Sequence, residues 1–386
     1  MPILAHPRVS QIDALTSLRF GAALYVVYFH YSVLFFERDA SPPAASLGYT
    51  GVTFFFMLSG FILSYNYKSA DLSSIYGYLL ARVARIYPAF LFSLLIGLPF
   101  FIKAVAQIDE PDQKLLAASA VLLAPLGLHA WVPGAACSIN CPSWSVSTEF
   151  FFYLLFPFIF LKILKRPTRW LVATTLCWVV TVYALDVLWS LKGHGFALTS
   201  HEAHVNPATD LLSQFIMYFP PLRISEFLFG IILFAYWSRD RRLKRPLIFF
   251  VTFVLLITIV VLMEGEISDV VLHNGLTVIV WAPLILAGAS MNRGPLNWPL
   301  FVFLGRLSFS FYLTHIPAAQ IVLALNKYLI GSDISSSPWS WALGTTILAL
   351  ALSVAMYVLI EAPGRRYIMS RWSGRRSLAQ GNVVLR

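Results

Sequence analysis

Charge is what this sequence has least of. Only 12% of its 386 residues are Asp, Glu, Lys or Arg, against about 25% in soluble domains, while 58% are hydrophobic. A chain so poor in charge cannot cover a globular surface with solvated side chains, which excludes an ordinary soluble protein of two or three domains. Cysteine is scarce too, and three residues exclude a disulfide scaffold. Cys177 lies in an apolar run and reads as packing. Cys137 and Cys141, in Cys-Ser-Ile-Asn-Cys-Pro, have the wrong spacing for a zinc knuckle and leave a short disulfide and a chance pair equally open. Also missing are a Ser or Cys nucleophile motif and the matched broken helices of an inverted-repeat carrier.

What the sequence has instead is a series of long apolar runs, at 14–36, 51–67, 86–104, 143–161, 170–191, 221–237, 247–263, 270–290, 300–328 and 339–361, and a mean hydropathy of +0.73. Runs of this length are spanning helices. They predict an all-α polytopic membrane protein, a bundle of about ten transmembrane helices, with residues 1–364 as the membrane domain and 365–386 as a basic tail that is disordered or lies on the membrane surface. The net charge of +10 is distributed by side. Arg38, Lys114 and Lys192 fall on one side, Arg19, Lys103, Arg223, Arg306 and Lys327 lie in or at the edges of spans, and every other Lys and Arg falls on the opposite side. By the positive-inside rule that puts both termini in the cytoplasm. The charge is therefore topological, and nucleic acid is not an expected partner.

Against this background a few polar residues stand out. Arg19 and His30 share the first span, where an arginine at membrane depth costs about 2.5–3.5 kcal/mol and so marks function. Eleven residues apart, they share one helix face with a rise of roughly 16 Å between them. Gly51, Ser59 and Gly60 in the second span read equally as tight helix packing and as the wall of a substrate path. Arg82 and Arg85 lie on one helical face at the cytoplasmic border, either as positive-inside anchors or as a fork for phosphate. The apolar stretch 115–128 is too short to span and reads as re-entrant or interfacial. Glu149, one and a half turns into the fourth span, needs a partner, and His30 is the nearest candidate by depth. Arg223 and Glu226 are placed for an internal ion pair. In the loop from Lys192 to Tyr218, His201, Glu202 and His204 invite a metal but lack a second ligand cluster, so a solvated loop is expected there. Arg306 and His315 are nine residues apart and would point to opposite sides of an ideal helix, with His315 read as an interhelical hydrogen-bonder. Pro363 and Gly364 are expected to end the last span.

Taken together and in order, Arg19 with His30, GVTFFFMLSGF, Arg82-Val-Ala-Arg85-Ile-Tyr-Pro88, Trp144-Ser-Val-Ser-Thr-Glu149, Arg223 to Gly230, Leu304-Gly-Arg-Leu-Ser through His315 and Glu361-Ala-Pro363 resemble the integral-membrane acyltransferase 3 family along nearly the whole chain. The resemblance is to members without a fused esterase-like domain. It implies transfer of an acyl group, most often acetyl, from cytoplasmic acyl-CoA to a hydroxyl of an extracytoplasmic glycan, glycolipid or polysaccharide, at a bacterial inner membrane and without a metal. His30 then matches the catalytic histidine, Arg19 its motif partner, and Arg82 and Arg85 the coenzyme-binding arginines, with Arg306 as a further donor-binding candidate. An imidazole of near-neutral pKa suits a general base for this chemistry, and a carboxylate can orient it. The expected mechanism has His30, oriented by Glu149, deprotonating the acceptor for direct attack on the thioester, with Arg19 acting on the donor. The competing class is a proton-coupled transporter or exporter of a glycan.

Overall fold

The computed structural model of the protein describes residues 12–37, 40–67, 74–192 and 211–381. The helices, in chain order, are α1 (Asp13–Phe35), α2 (Gly51–Tyr67), α3 (Ile75–Ala106), α4 (Pro111–Leu123), α5 (Trp144–Lys165), α6 (Pro167–Leu191), α7 (Leu211–Tyr218), α8 (Ile224–Trp237), α9 (Pro246–Leu262), α10 (Val278–Ser290), α11 (Pro299–Leu325), α12 (Pro338–Met356) and α13 (Ala362–Gly381). No strand occurs among the described residues. Among the described residues eight helices, counted with their adjoining turns, are long and apolar enough to cross a membrane; α7 and α8, bent by 42°, make a ninth if taken as one span, and α9 is a shorter apolar helix of 17 residues. Each apolar window of the sequence falls on one of these, and the protein is an all-α integral membrane bundle.

Apolar side chains give no net drive between helices in lipid, so close backbone approach decides which helices meet. α2 packs along α8 and α1 along α11. A Cβ on Gly60 would collide with the Phe227 carbonyl oxygen, one on Gly230 with that of Met57, and one on Gly305 with that of Thr16. These contacts place α1, α2, α8 and α11 at the centre, while α6 and α9 turn large apolar side chains such as Val180 and Leu255 outward. α4 is the short helix expected from its length and keeps Leu115 and Leu122 exposed.

Two expectations are corrected. Pro363 and Gly364 do not stop the last span: the chain passes through a π turn at Tyr357–Glu361 and continues as α13. The turn restarts the hydrogen-bond ladder just before Pro363, where a missing N–H leaves no gap. Gly364 serves packing, since a Cβ there would meet Pro88 at 2.8 Å. The basic tail is therefore helical through Gly381, and its Trp372 ring rests 4.9 Å from Tyr76 at the start of α3. His194, His201, Glu202, His204 and Asp210 lie outside the described residues. Among the described residues no three His, Cys, Asp or Glu side chains cluster as a metal site.

Candidate active site

Among the described residues Arg19 and His30 line two separate cavities, which share no lining residue. The first is cationic. Arg82 and Arg85 on α3 are brought together by their i, i+3 spacing, and both line it with Arg19 of α1 and Glu149 of α5. Among the described residues no carboxylate comes within 4.0 Å of these three guanidiniums. Arg82 is buried to 7% exposure, its Nε has no hydrogen-bond partner, and its guanidinium lies 5.8 Å from the Tyr67 ring centroid. A buried donor of this kind is costly unless a ligand completes it. Glu149 accepts from Ser59 Oγ at 2.9 Å and from the Tyr153 hydroxyl at 3.1 Å. Arg19 lies in the field of Arg85, Glu149 and Glu361, so both carboxylates act as counter-charges to it. Glu361, in turn, accepts from Ser310 Oγ at 2.6 Å.

The second cavity, at about 730 Å³, is far roomier than the first, which leaves about 70 Å³ for water-sized groups. His30 lines it with apolar residues of α1, α3 and α11, and its polar lining includes Asp109, Glu110, Gln107, Gln113 and Gln320. Cys137 and Cys141 form a disulfide in the same wall. His30 Nδ1 lies 2.9 Å from the Val26 carbonyl oxygen and 3.2 Å from Nε2 of His315. His315 is fully buried.

The partition between the cavities is thin. Along α11 it runs from Tyr312, which lines the first, to Ile316, which lines the second, and along the 140–145 segment from Ser145 to Cys141. Tyr312 donates its hydroxyl to the Pro142 carbonyl at 3.1 Å and Asn140 donates its amide to the Leu313 carbonyl at 2.9 Å, closing the gap by about one helical turn.

Of the residues singled out by sequence, Arg19, Arg82, Arg85 and Glu149 come together and His30 stands beyond the partition. Glu149 does not orient His30: depth along the chain makes them neighbours, but α5 turns the carboxylate towards the arginines and His30 meets an imidazole instead. Arg306 is exposed and stays out of the cationic lining, because the face of α11 that enters it carries Ser308, Phe309 and Tyr312. His315, read as an interhelical hydrogen-bonder, makes such a contact, and its partner is His30. The i, i+3 step from Tyr312 was the available signal, but nothing in the chain says which helix it meets.

The bundle thus holds a cationic cavity and a histidine-bearing one on either side of this partition, and the comparisons give its class. The chain belongs to the acyltransferase 3 family, whose model, described as an acyltransferase domain, matches residues 12–358. It is 28% identical over 384 residues to the acyltransferase MdmB of Streptomyces mycarofaciens, covering 95% of this chain and 94% of that protein. Over 150 residues it is 32% identical to protein 2 in the picA locus of Rhizobium radiobacter, covering 35% of this chain and 75% of that protein. Over 391 residues it is 20% identical to a Staphylococcus aureus (strain COL) protein provisionally named as an O-acetyltransferase, covering 94% of this chain and 58% of that protein. No solved structure matches it. The protein is an integral membrane O-acyltransferase, and the transporter reading gives way.

Proposed function

We propose that the donor is acyl-CoA, with acetyl as its acyl group, bound from the cytoplasm through Arg82, Arg85 and Arg19, and that the acceptor is a hydroxyl of an extracytoplasmic glycan or glycolipid at a bacterial inner membrane. The observation that carries the donor is the buried Arg82 guanidinium with an unpartnered Nε beside two further arginines. Guanidinium forks match phosphate oxygens, and a phosphate would satisfy the orphan donor. The cavity is narrow, so it suits a phosphate group or the slim thioester arm, with the nucleotide left at its mouth. The roomier cavity suits the acceptor, since its amide and carboxylate lining offers hydrogen bonds to hydroxyls over an apolar floor.

In the reaction His30 takes the proton of the acceptor hydroxyl as its oxygen attacks the thioester carbonyl. The carbon–sulfur bond then breaks and the imidazolium returns the proton to the leaving thiolate, giving an ester and free CoA thiol. Arg19, about 16 Å along α1 from His30, is too far to touch the reacting oxygen and acts on the donor.

The test is thermal unfolding of the purified, detergent-solubilised protein with and without acetyl-CoA. A hundredfold excess over Kd is expected to stabilise the wild type by about 2.7 kcal/mol. Arg82→Ala/Arg85→Ala is expected to lose that shift, and His30→Ala to keep it while losing transfer. A wild type left unmoved by saturating acetyl-CoA overturns the donor assignment.

A further inference from the structure

We propose that Arg365, at the start of α13, binds the ribose 3′-phosphate of the donor, so that the basic tail completes the donor site. This rests on the reading of the donor as acyl-CoA. The tail helix is set along α3 and runs antiparallel to it: Gly364 stands against Pro88 at one end, and Trp372 stands against Tyr76 and Gly77 at the other. Between those two levels α3 carries Arg82 and Arg85. Arg365 and Trp372 are seven residues apart and share one face of α13, the face that Trp372 turns to α3. The Arg365 guanidinium accordingly lies in the field of Arg85 and Arg82. Glu361, four residues before it, is tied through Ser310 Oγ to α11, beside Ser308 and Phe309 of the cavity wall.

The balance of charge calls for an anion. Arg19, Arg82, Arg85 and Arg365 stand around two carboxylates, Glu149 and Glu361. Among the described residues no carboxylate comes within 4.0 Å of Arg365, although Glu361 lies one turn away on its own helix face. Guanidiniums gathered in this way repel one another, and an anionic ligand removes that cost. Arg82 and Arg85 line the cavity, whereas Arg365 is exposed and lies outside the lining. An acyl-CoA carries phosphate in two places, a diphosphate next to the arm that ends in the thioester and a single phosphate on the ribose beyond it. The cavity leaves about 70 Å³ for water-sized groups, which suits the arm and not the nucleotide. With the arm inside, the diphosphate falls to the lining arginines and the ribose phosphate, further from the thioester, falls to the exposed one. A guanidinium there forks onto two phosphate oxygens. The headgroup of an anionic lipid offers the same phosphate chemistry, and the test separates the two sources.

The experiment measures Kd by isothermal titration calorimetry for acetyl-CoA and for 3′-dephospho-acetyl-CoA, with the full chain in phosphatidylcholine nanodiscs. Wild type is expected to bind acetyl-CoA about 10–100-fold more tightly than the dephospho form, the range of a charge-assisted hydrogen bond. Arg365→Ala is expected to weaken acetyl-CoA by the same factor and to leave the dephospho form within about twofold of wild type, so that the preference vanishes. Arg366→Ala, which removes an equal charge from the exposed neighbouring position, is expected to retain the preference. If Arg365→Ala does not fold, Arg365→Gln takes its place. A wild type that binds acetyl-CoA without this preference, or a variant at 365 that keeps it, overturns the proposal and leaves the donor assignment standing. In a second arm phosphatidylglycerol is added to the nanodiscs. If it raises the unfolding temperature of wild type but not of Arg365→Ala, while both keep the same preference for acetyl-CoA, the residue holds a lipid headgroup and the proposal is overturned. A wild type that binds neither form overturns the donor assignment and this inference with it.

Discussion

At the scale of single residues, the centre of the bundle contains an ion pair that the proposed chemistry does not use. Arg223, 1% exposed, forms bonds of 2.8 Å to each oxygen of Glu226, and Thr53 Oγ1 donates to the same carboxylate at 2.6 Å. The guanidinium also lies 5.4 Å from the Phe56 ring centroid and 5.5 Å from that of Trp144. A buried pair gains little over well-packed apolar residues, but breaking it leaves one charge stranded. Glu226→Leu is therefore expected to cost about 3–5 kcal/mol in unfolding experiments, and Arg223→Met/Glu226→Leu clearly less. Equal losses in the two variants would show that the pair is not coupled. This pair was legible in the sequence because its partners are three residues apart, Arg223 in the turn that leads into α8 and Glu226 in the first turn of α8. The contact of His30 with His315 was not, since His315 comes from another helix 285 residues away.

At the scale of elements, adjacent residues of α2 divide two roles between them. Gly60 lets α8 approach to backbone contact, while Ser59 reaches Glu149 in the cationic cavity. The sequence left packing and substrate path open for this stretch; the structure shows packing at Gly60 and puts Ser59 in the lining of the cationic cavity. Gly230→Leu is expected to force α2 and α8 apart at a cost of at least about 1–3 kcal/mol, seen as a lowered unfolding temperature. The segment between α4 and α5 contributes a pH dependence. His129 is fully buried, with Nε2 3.0 Å from Ser143 Oγ, and burial lowers its pKa from 6.5 to about 4. The folded state thus keeps His129 neutral where the unfolded chain takes up a proton, so stability is full above pH 6.5 and falls as pH drops towards 4. The total loss is about 3 kcal/mol. His129→Gln is expected to flatten that part of the stability curve, measured by unfolding from pH 8 to pH 4.

At the scale of the whole molecule, the two cavities lie on either side of a partition about one helical turn thick, and their sidedness in the membrane is open to a direct test. If the arginine cavity opens to the cytoplasm, the C-terminus lies on that side too. A fluorescent protein fused after Arg386 is then expected to fluoresce, and an alkaline phosphatase fused there to be inactive. The reverse pattern would place the donor cavity on the wrong side for a cytoplasmic coenzyme.

The membrane bundle, the positions of its spans, the family and the presence of polar residues at membrane depth were all legible along the chain, because apolar length and the cost of charge in lipid are local properties. Only the tertiary structure decided which of those residues meet. Glu149 turned to the arginines, Arg306 stayed out of the cavity and His315 came against His30, because helix rotation is set by where glycines let backbones touch. That packing joins residues hundreds of positions apart, and no spacing along one helix encodes it.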